Sequence, residues 1–190
     1  MTRPIPREWL GYQYFDPEKI LVGLREVAFT YRLHDLNYHA RTLRTHKLRK
    51  HGEGRQAALF CYGMSRVVRS KVSFAHVERE DFDIVAKYED DGEENFIPVQ
   101  LKEWTPDFLP SPQPLQVELD KLTKYGDASG LVVAFHLNRE TRVELSELTY
   151  PRNIGELWFY GCIEPSQNHW VIIGDVLKES AAYGFTYPEA

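Results

Sequence analysis

Gln100 and Lys102 stand two residues apart in an apolar-rich run from Phe96 to Trp104 that reads as a β-strand. Side chains alternate along a strand, so both project from one face while Val99 and Leu101 project from the other. Asp83 lies near the start of the preceding run of this kind, Phe82 to Tyr88. Between the two runs lies Asp90-Asp91-Gly92, and Asp-Gly supplies the positive φ that a tight hairpin needs. An antiparallel hairpin makes the runs neighbours and brings together a carboxylate, an amide and an ammonium. Hydrolysis of a phosphodiester assisted by Mg²⁺ or Mn²⁺ needs this combination: hard oxygens hold the ion, and a nearby cation positions or polarises the attacking water. Asp81, one pleat away on the same face, is the alternative carboxylate.

The surrounding elements must hold that hairpin in place. Asp16-Pro17 predicts a helix N-cap followed by proline at the first helical position, and Ile20, Leu21, Leu24, Val27, Ala28 and Tyr31 recur at helical spacing after it. The helical pattern continues to about Lys50, where His51-Gly52 predicts a stop. A second, short helix is expected from Gly52 to Met64, with Glu53 in or near its first turn. Lys71 to Val77 predicts a strand ahead of the hairpin. Thr105 to Pro114 contains four prolines and predicts a loop. Leu115, Leu119 and Leu122 mark an amphipathic helix that ends at Gly126. Leu131 to Phe135 reads as a strand buried on both faces, and Leu157 to Tyr160 and Trp170 to Ile173 read as two more strands. Pro98 predicts a bulge or a strand start within its run, because it lacks a ladder donor. This order predicts an α/β protein with a central mixed sheet and helices on both faces.

Composition narrows the class. The chain has 190 residues, 43% of them hydrophobic and 27% charged, which fits one globular domain with a full core. The N-terminus lacks the apolar stretch of a signal peptide, and the longest apolar runs fall far short of the ~20 residues of a membrane helix, so a cytoplasmic protein with no membrane partner is expected. Cys61 and Cys162 are expected as reduced core residues, too few for a disulfide framework or a structural zinc site. The net charge of −5 conceals a separation along the chain. From Arg41 to Lys71 nine bases face one acid, Glu53, and from Glu78 to Glu94 nine acids face Arg79 and Lys87. A basic stretch of this kind can follow a phosphate backbone, although two solvated faces of opposite sign explain charge alone more simply.

Asp83-Ile84-Val85, a hairpin, then Val99-Gln100-Leu101-Lys102 resembles the core of the PD-(D/E)xK nuclease superfamily, in its variant with glutamine at the middle acidic position. The resemblance covers about Gly52 to Phe135 and includes the helix, three strands, helix, strand order. Of nine lysines, only Lys102 has Asp, Glu or Gln two residues before it. The resemblance implies a three-layer α/β/α, restriction-endonuclease-like fold. It also implies that Asp83 is the principal metal ligand, that the side-chain carbonyl of Gln100 and the backbone carbonyl of Leu101 add oxygens, that Lys102 orients the water, and that Glu53 is the helix glutamate of the same centre. Two departures stand out: Phe82 replaces the family's proline, and Gln100 carries no charge.

On this reading the chain is one domain, with a helical N-terminal extension over 1–51, a nuclease-like core over 52–138 and a strand-rich C-terminal extension over 139–190. The expected activity is a divalent-metal-dependent DNA endonuclease. Arg44, Lys47, Arg49, Lys50, Arg55, Arg66, Arg69 and Lys71 are expected on backbone phosphates, with Lys121 and Lys124 adding contacts. Cutting both strands of a duplex calls for two active sites, which favours a homodimer. The alternatives are a nuclease-fold protein that binds or scaffolds nucleic acid with little or no turnover, and an RNA nuclease. The competing reading of the residues makes Asp83 a turn residue, Gln100 a plain polar strand residue, Lys102 a surface partner of Glu103 and Glu53 a helix-dipole acid. His34-Asp35 with His39 lacks the further His and Asp set of a phosphohydrolase. Tyr31, Tyr38, Trp158 and Trp170 are expected in the core, and no glycine-rich phosphate loop, G-x-S-x-G or HExxH is present.

Overall fold

The computed structural model describes residues 5–31, 35, 49–77 and 79–189 of the chain. Helix α1, Pro17–Thr30, starts as expected: the Asp16 carboxylate accepts the Glu18 N–H at 3.1 Å, and proline occupies the first turn. Most of the continuation toward Lys50 lies outside the described residues, and so do His34, Tyr38, His39, Arg41, Arg44 and Lys47.

Helix α2, Arg49–Val67, corrects the expected stop at His51-Gly52, because it runs straight through both residues. Glycine costs a helix about 1 kcal/mol relative to alanine. Here that cost is outweighed by tertiary burial, since Ala57, Ala58, Leu59, Phe60 and Cys61 are all essentially inaccessible. Glu53 is therefore the fifth residue of a long helix rather than part of the opening turn of a short one.

Among the described residues, seven strands form one mixed sheet whose spatial order follows the chain: β1 (Ser73–His76), β2 (Ile84–Asp90), β3 (Glu93–Trp104), β4 (Ala128–Leu137), β5 (Ile154–Cys162), β6 (His169–Gly174) and β7 (Ala181–Thr186). The β3–β4 and β4–β5 pairs are parallel and the others antiparallel. β2 and β3 form the expected hairpin. Asp90 pairs with Glu93, and the two-residue turn between them, Asp91-Gly92, has φ of 48° and 80°. β7 was not expected from the sequence, because Ala181-Ala182-Tyr183-Gly184 carries no alternation of apolar and polar residues.

Pro98 lies inside β3 opposite Val85, with neither a register shift nor a strand start there. The Val99 carbonyl accepts the Asp83 N–H, so Val99 turns its polar backbone toward β2 and Pro98 turns its own toward β4. The ladder to β4 begins only at Val99, and the missing donor falls where that pairing starts.

Two apolar clusters flank the sheet. Val99, Leu101, Val132, Ala134, Trp158 and Tyr160 pack with Leu21 of α1 and Ala57 to Cys61 of α2. The alternate residues Val133, Phe135, Leu157 and Phe159 pack with Leu115, Leu119 and Leu122 on the other side. Those leucines come from α3, Leu115–Asp120, and the 3₁₀ turns Lys121–Tyr125 that continue it, so the expected single helix tightens after Asp120. Thr105 to Pro114 is a loop, as its prolines require. Cys61 is buried, Cys162 is partly exposed at the rim of the core, and neither forms a disulfide. Trp158 and Trp170 are core residues, whereas Tyr31, expected there, is 70% exposed at the end of α1. No helix among the described residues is long and apolar enough to cross a membrane.

Candidate active site

The β2–β3 hairpin assembles the three residues singled out by their spacing. Ile84 pairs with Val99, so Asp83, one residue before β2, continues the register opposite Gln100. Its backbone is tied on both sides: its N–H donates to Val99 O and its C=O accepts from Val77 N–H, each at 3.0 Å. Asp83 Oδ2 accepts the Leu101 N–H at 2.7 Å and a hydrogen bond from the Gln100 amide. Asp81 is exposed, and the register places Asp83, not Asp81, beside Gln100.

Gln100 is buried, and its amide nitrogen also donates to Leu101 O at 3.3 Å. The Nε2 group thus bridges Asp83 Oδ2 and Leu101 O. In this arrangement nitrogen, not the side-chain carbonyl expected from the sequence, faces the carboxylate, and half a turn about the last torsion of Gln100 exchanges the two. Lys102 shares this face, beside Phe135 of β4, with its ammonium 5.7 Å from the centre of the Tyr125 ring.

The electrostatics follow from this burial. Desolvation pushes the Asp83 carboxyl above its ordinary 3.8. The Leu101 N–H and the Lys102 ammonium oppose that rise, the Glu53 charge adds to it, and His76 opposes it. Burial likewise draws the Lys102 ammonium below its ordinary 10.5, against the pull of Asp83 and Glu118. The Glu53 charge thus acts on Asp83 from α2. Among the described residues no three His, Cys, Asp or Glu side chains gather closely enough to hold a metal ion between them.

Two members of the site were not expected. His76 ends β1 opposite Ile84, next to Asp83, and its ring lies 3.5 Å from where a Cβ on Gly54 would stand. The signal available for it was the strand-end position one pairing step from Asp83. Tyr125 arrives from the 3₁₀ segment after α3, and no spacing within the hairpin points to it.

The basic residues are dispersed. Lys124 lies 5.1 Å from the Tyr125 ring and so borders the site, and Lys121 on the same segment pairs with Glu118 at 2.8 Å. Arg55 donates to Gln167 at 2.7 Å and lies over Trp170. Arg66, thirteen residues beyond Glu53 and so about 20 Å along α2, lines an open groove against Phe185 and Tyr187. Arg69 is exposed after the end of α2, and Lys71 pairs with Asp16 at 2.6 Å. Arg49 and Lys50 fall in the first turn of α2, and their side chains, like all of Arg44 and Lys47, lie outside the described residues. No protein-family model, curated protein or solved structure matches the chain.

Proposed function

We propose that this chain is a divalent-metal-dependent DNA endonuclease of the PD-(D/E)xK type, with the α/β sheet and its flanking helices arranged as a three-layer restriction-endonuclease-like fold. The observation that carries the proposal is the convergence of Asp83 Oδ2, the Leu101 backbone and the Gln100 amide on one point, with Lys102 on the same face. An N–H group drawn to both a carboxylate and a carbonyl oxygen marks a position where positive charge is favourable. The donor set fits Mg²⁺ or Mn²⁺: Mg²⁺ commonly binds through one or two carboxylates, with waters and substrate phosphate completing its shell. Asp83 and Leu101 O would hold it, with Gln100 Oε1 after the amide turns and Glu53 nearby.

The chemistry such an ion supplies when bound is Lewis-acid polarisation of a phosphoryl oxygen and a more acidic attacking water. The chain's own residues do the rest. Asp83 is fixed by two hydrogen bonds of its main chain, and the Leu101 N–H on Oδ2 holds its carboxylate in place. Lys102 Nζ has three donors for the attacking water and for charge developing on the phosphoryl oxygens, and its partial burial strengthens both interactions. Val133 and Phe135, beside Gln100 and Lys102 on β4, present an apolar flank that excludes solvent from that side.

Purified protein with supercoiled plasmid and Mn²⁺ should give nicked circles, and Lys102→Ala should reduce the rate at least about a hundredfold, as loss of a positioned charge does. Equal nicking by both proteins sinks the assignment. Matched DNA and RNA strands in the same assay distinguish the two sugars, which phosphate contacts alone do not.

One observation favours a second reading, in which the protein binds nucleic acid without turnover: the Gln100 amide nitrogen already satisfies Asp83 and leaves the site neutral at its middle position. Calorimetric titration separates the two readings, since absence of Mn²⁺ binding at millimolar concentration supports the second and saturable binding the first.

A further inference from the structure

We infer that Tyr125 is a positioning residue for Lys102: its ring face fixes the direction of the ammonium toward Asp83, and this role rests on the nuclease reading above. Lys102 leaves β3 on the face it shares with Gln100, and its immediate neighbour on β4 is Phe135, which offers the ammonium no hydrogen-bond partner. A four-carbon stem with a compact charge at its end would otherwise sample many rotamers. Two features restrict it. The negative face of the Tyr125 ring lies 5.7 Å from Nζ, within the range of a cation–π contact, and Asp83 attracts the same charge.

Tyr125 is itself held. It packs on the apolar cluster that includes Leu119 and Leu122, Lys124 lies 5.1 Å from its ring centre, and the 3₁₀ segment ends at the next residue, Gly126. The α3 layer thus reaches the hairpin through an aromatic ring, and the segment from Leu115 to Tyr125 acts on the reaction without contributing a ligand. Glu118, seven residues earlier on α3, also attracts Lys102 but is engaged by Lys121 at 2.8 Å. A ring beside the lysine and a neutralised acid behind it leave Asp83 as the direction in which the ammonium is drawn.

The test compares Tyr125→Phe and Tyr125→Leu in the full chain by plasmid nicking with Mn²⁺ and by NMR of the lysine CεH₂ groups. Tyr125→Phe keeps the ring and should retain kcat within about twofold, whereas Tyr125→Leu should lower kcat about tenfold with little change in KM. The Lys102 CεH₂ resonance, identified by its loss in Lys102→Ala, should be displaced upfield in the wild type and in Tyr125→Phe, and should return to the position of an exposed lysine in Tyr125→Leu. A purely structural role would lower thermal stability in both variants and leave that pattern unmet. If the wild type nicks and Tyr125→Leu nicks equally fast, or if the resonance is never displaced, the inference is overturned while the nuclease reading stands. A wild type that nicks nothing overturns the reading and this role together.

Discussion

At Gln100 a neutral amide occupies the middle of a site whose other groups are a carboxylate, a carbonyl and an ammonium. Gln100→Glu adds a negative charge within contact of Asp83, and at an effective dielectric of about 20 a charge about 4 Å from an ion is worth several kcal/mol before desolvation is counted. Mn²⁺ affinity should therefore rise about ten- to a hundredfold in calorimetric titration, and an unchanged dissociation constant would count against Gln100 as part of the ion's shell. Without metal the same substitution places two carboxylates together, so the variant should melt earlier than the wild type and recover on addition of Mn²⁺. Residues were legible in the sequence to the extent that their partners lay in the same hairpin. Lys102 and Gln100 declare themselves by a two-residue spacing, but Asp81 and Asp83 share a face, and only the register of Ile84 with Val99 separates them. His76 and Tyr125 come from other segments, and proximity across elements leaves no trace in local spacing.

Among the elements, α1 shows how local chemistry fixes a boundary. Asp16 caps the helix and pairs with Lys71, joining α1 to the segment before β1. Burial alone would raise its carboxyl, but the Lys71 ammonium and the N–H groups of Glu18 and Lys19 outweigh that and hold it below its ordinary 3.8. A folded value below the unfolded one means that this contribution is fully present above 3.8 and is lost as pH falls through the lowered folded value. Asp16→Ala should cost about 1 kcal/mol at neutral pH, and the cost should shrink well below pH 3.8. Urea unfolding of both proteins at the two acidities checks this, and a cost that stays constant with pH contradicts it. Caps and turns such as Asp16-Pro17 and Asp91-Gly92 were readable because they act through their own backbone. His51-Gly52 misled for the complementary reason: the helix there is dictated by burial of Ala57 to Cys61 against α1 and the sheet, which no local signal records.

For the molecule as a whole, α2 is the element that joins distant parts, since the charge of Glu53 acts on Asp83 near one end of the helix and Gly63 meets β7 near the other. A Cβ on Gly63 would stand 2.8 Å from Cε1 of Phe185, a buried ring stacked on Trp170. Gly→Ala ordinarily strengthens a helix by up to about 1 kcal/mol. Here the sign should reverse, with Gly63→Ala destabilising by about 1–3 kcal/mol through overpacking, measured by chemical denaturation. A stabilised variant would show that α2 and β7 are not in close contact. The sheet has one further property: its strands lie in space in the order in which they are made. Every strand therefore pairs with its neighbours in sequence, and no pairing of the sheet has to wait for a strand made much later. The same order leaves Ala181–Thr186, an uncharged segment, paired on one side only, so that among the described residues its outer backbone groups form an edge of the sheet.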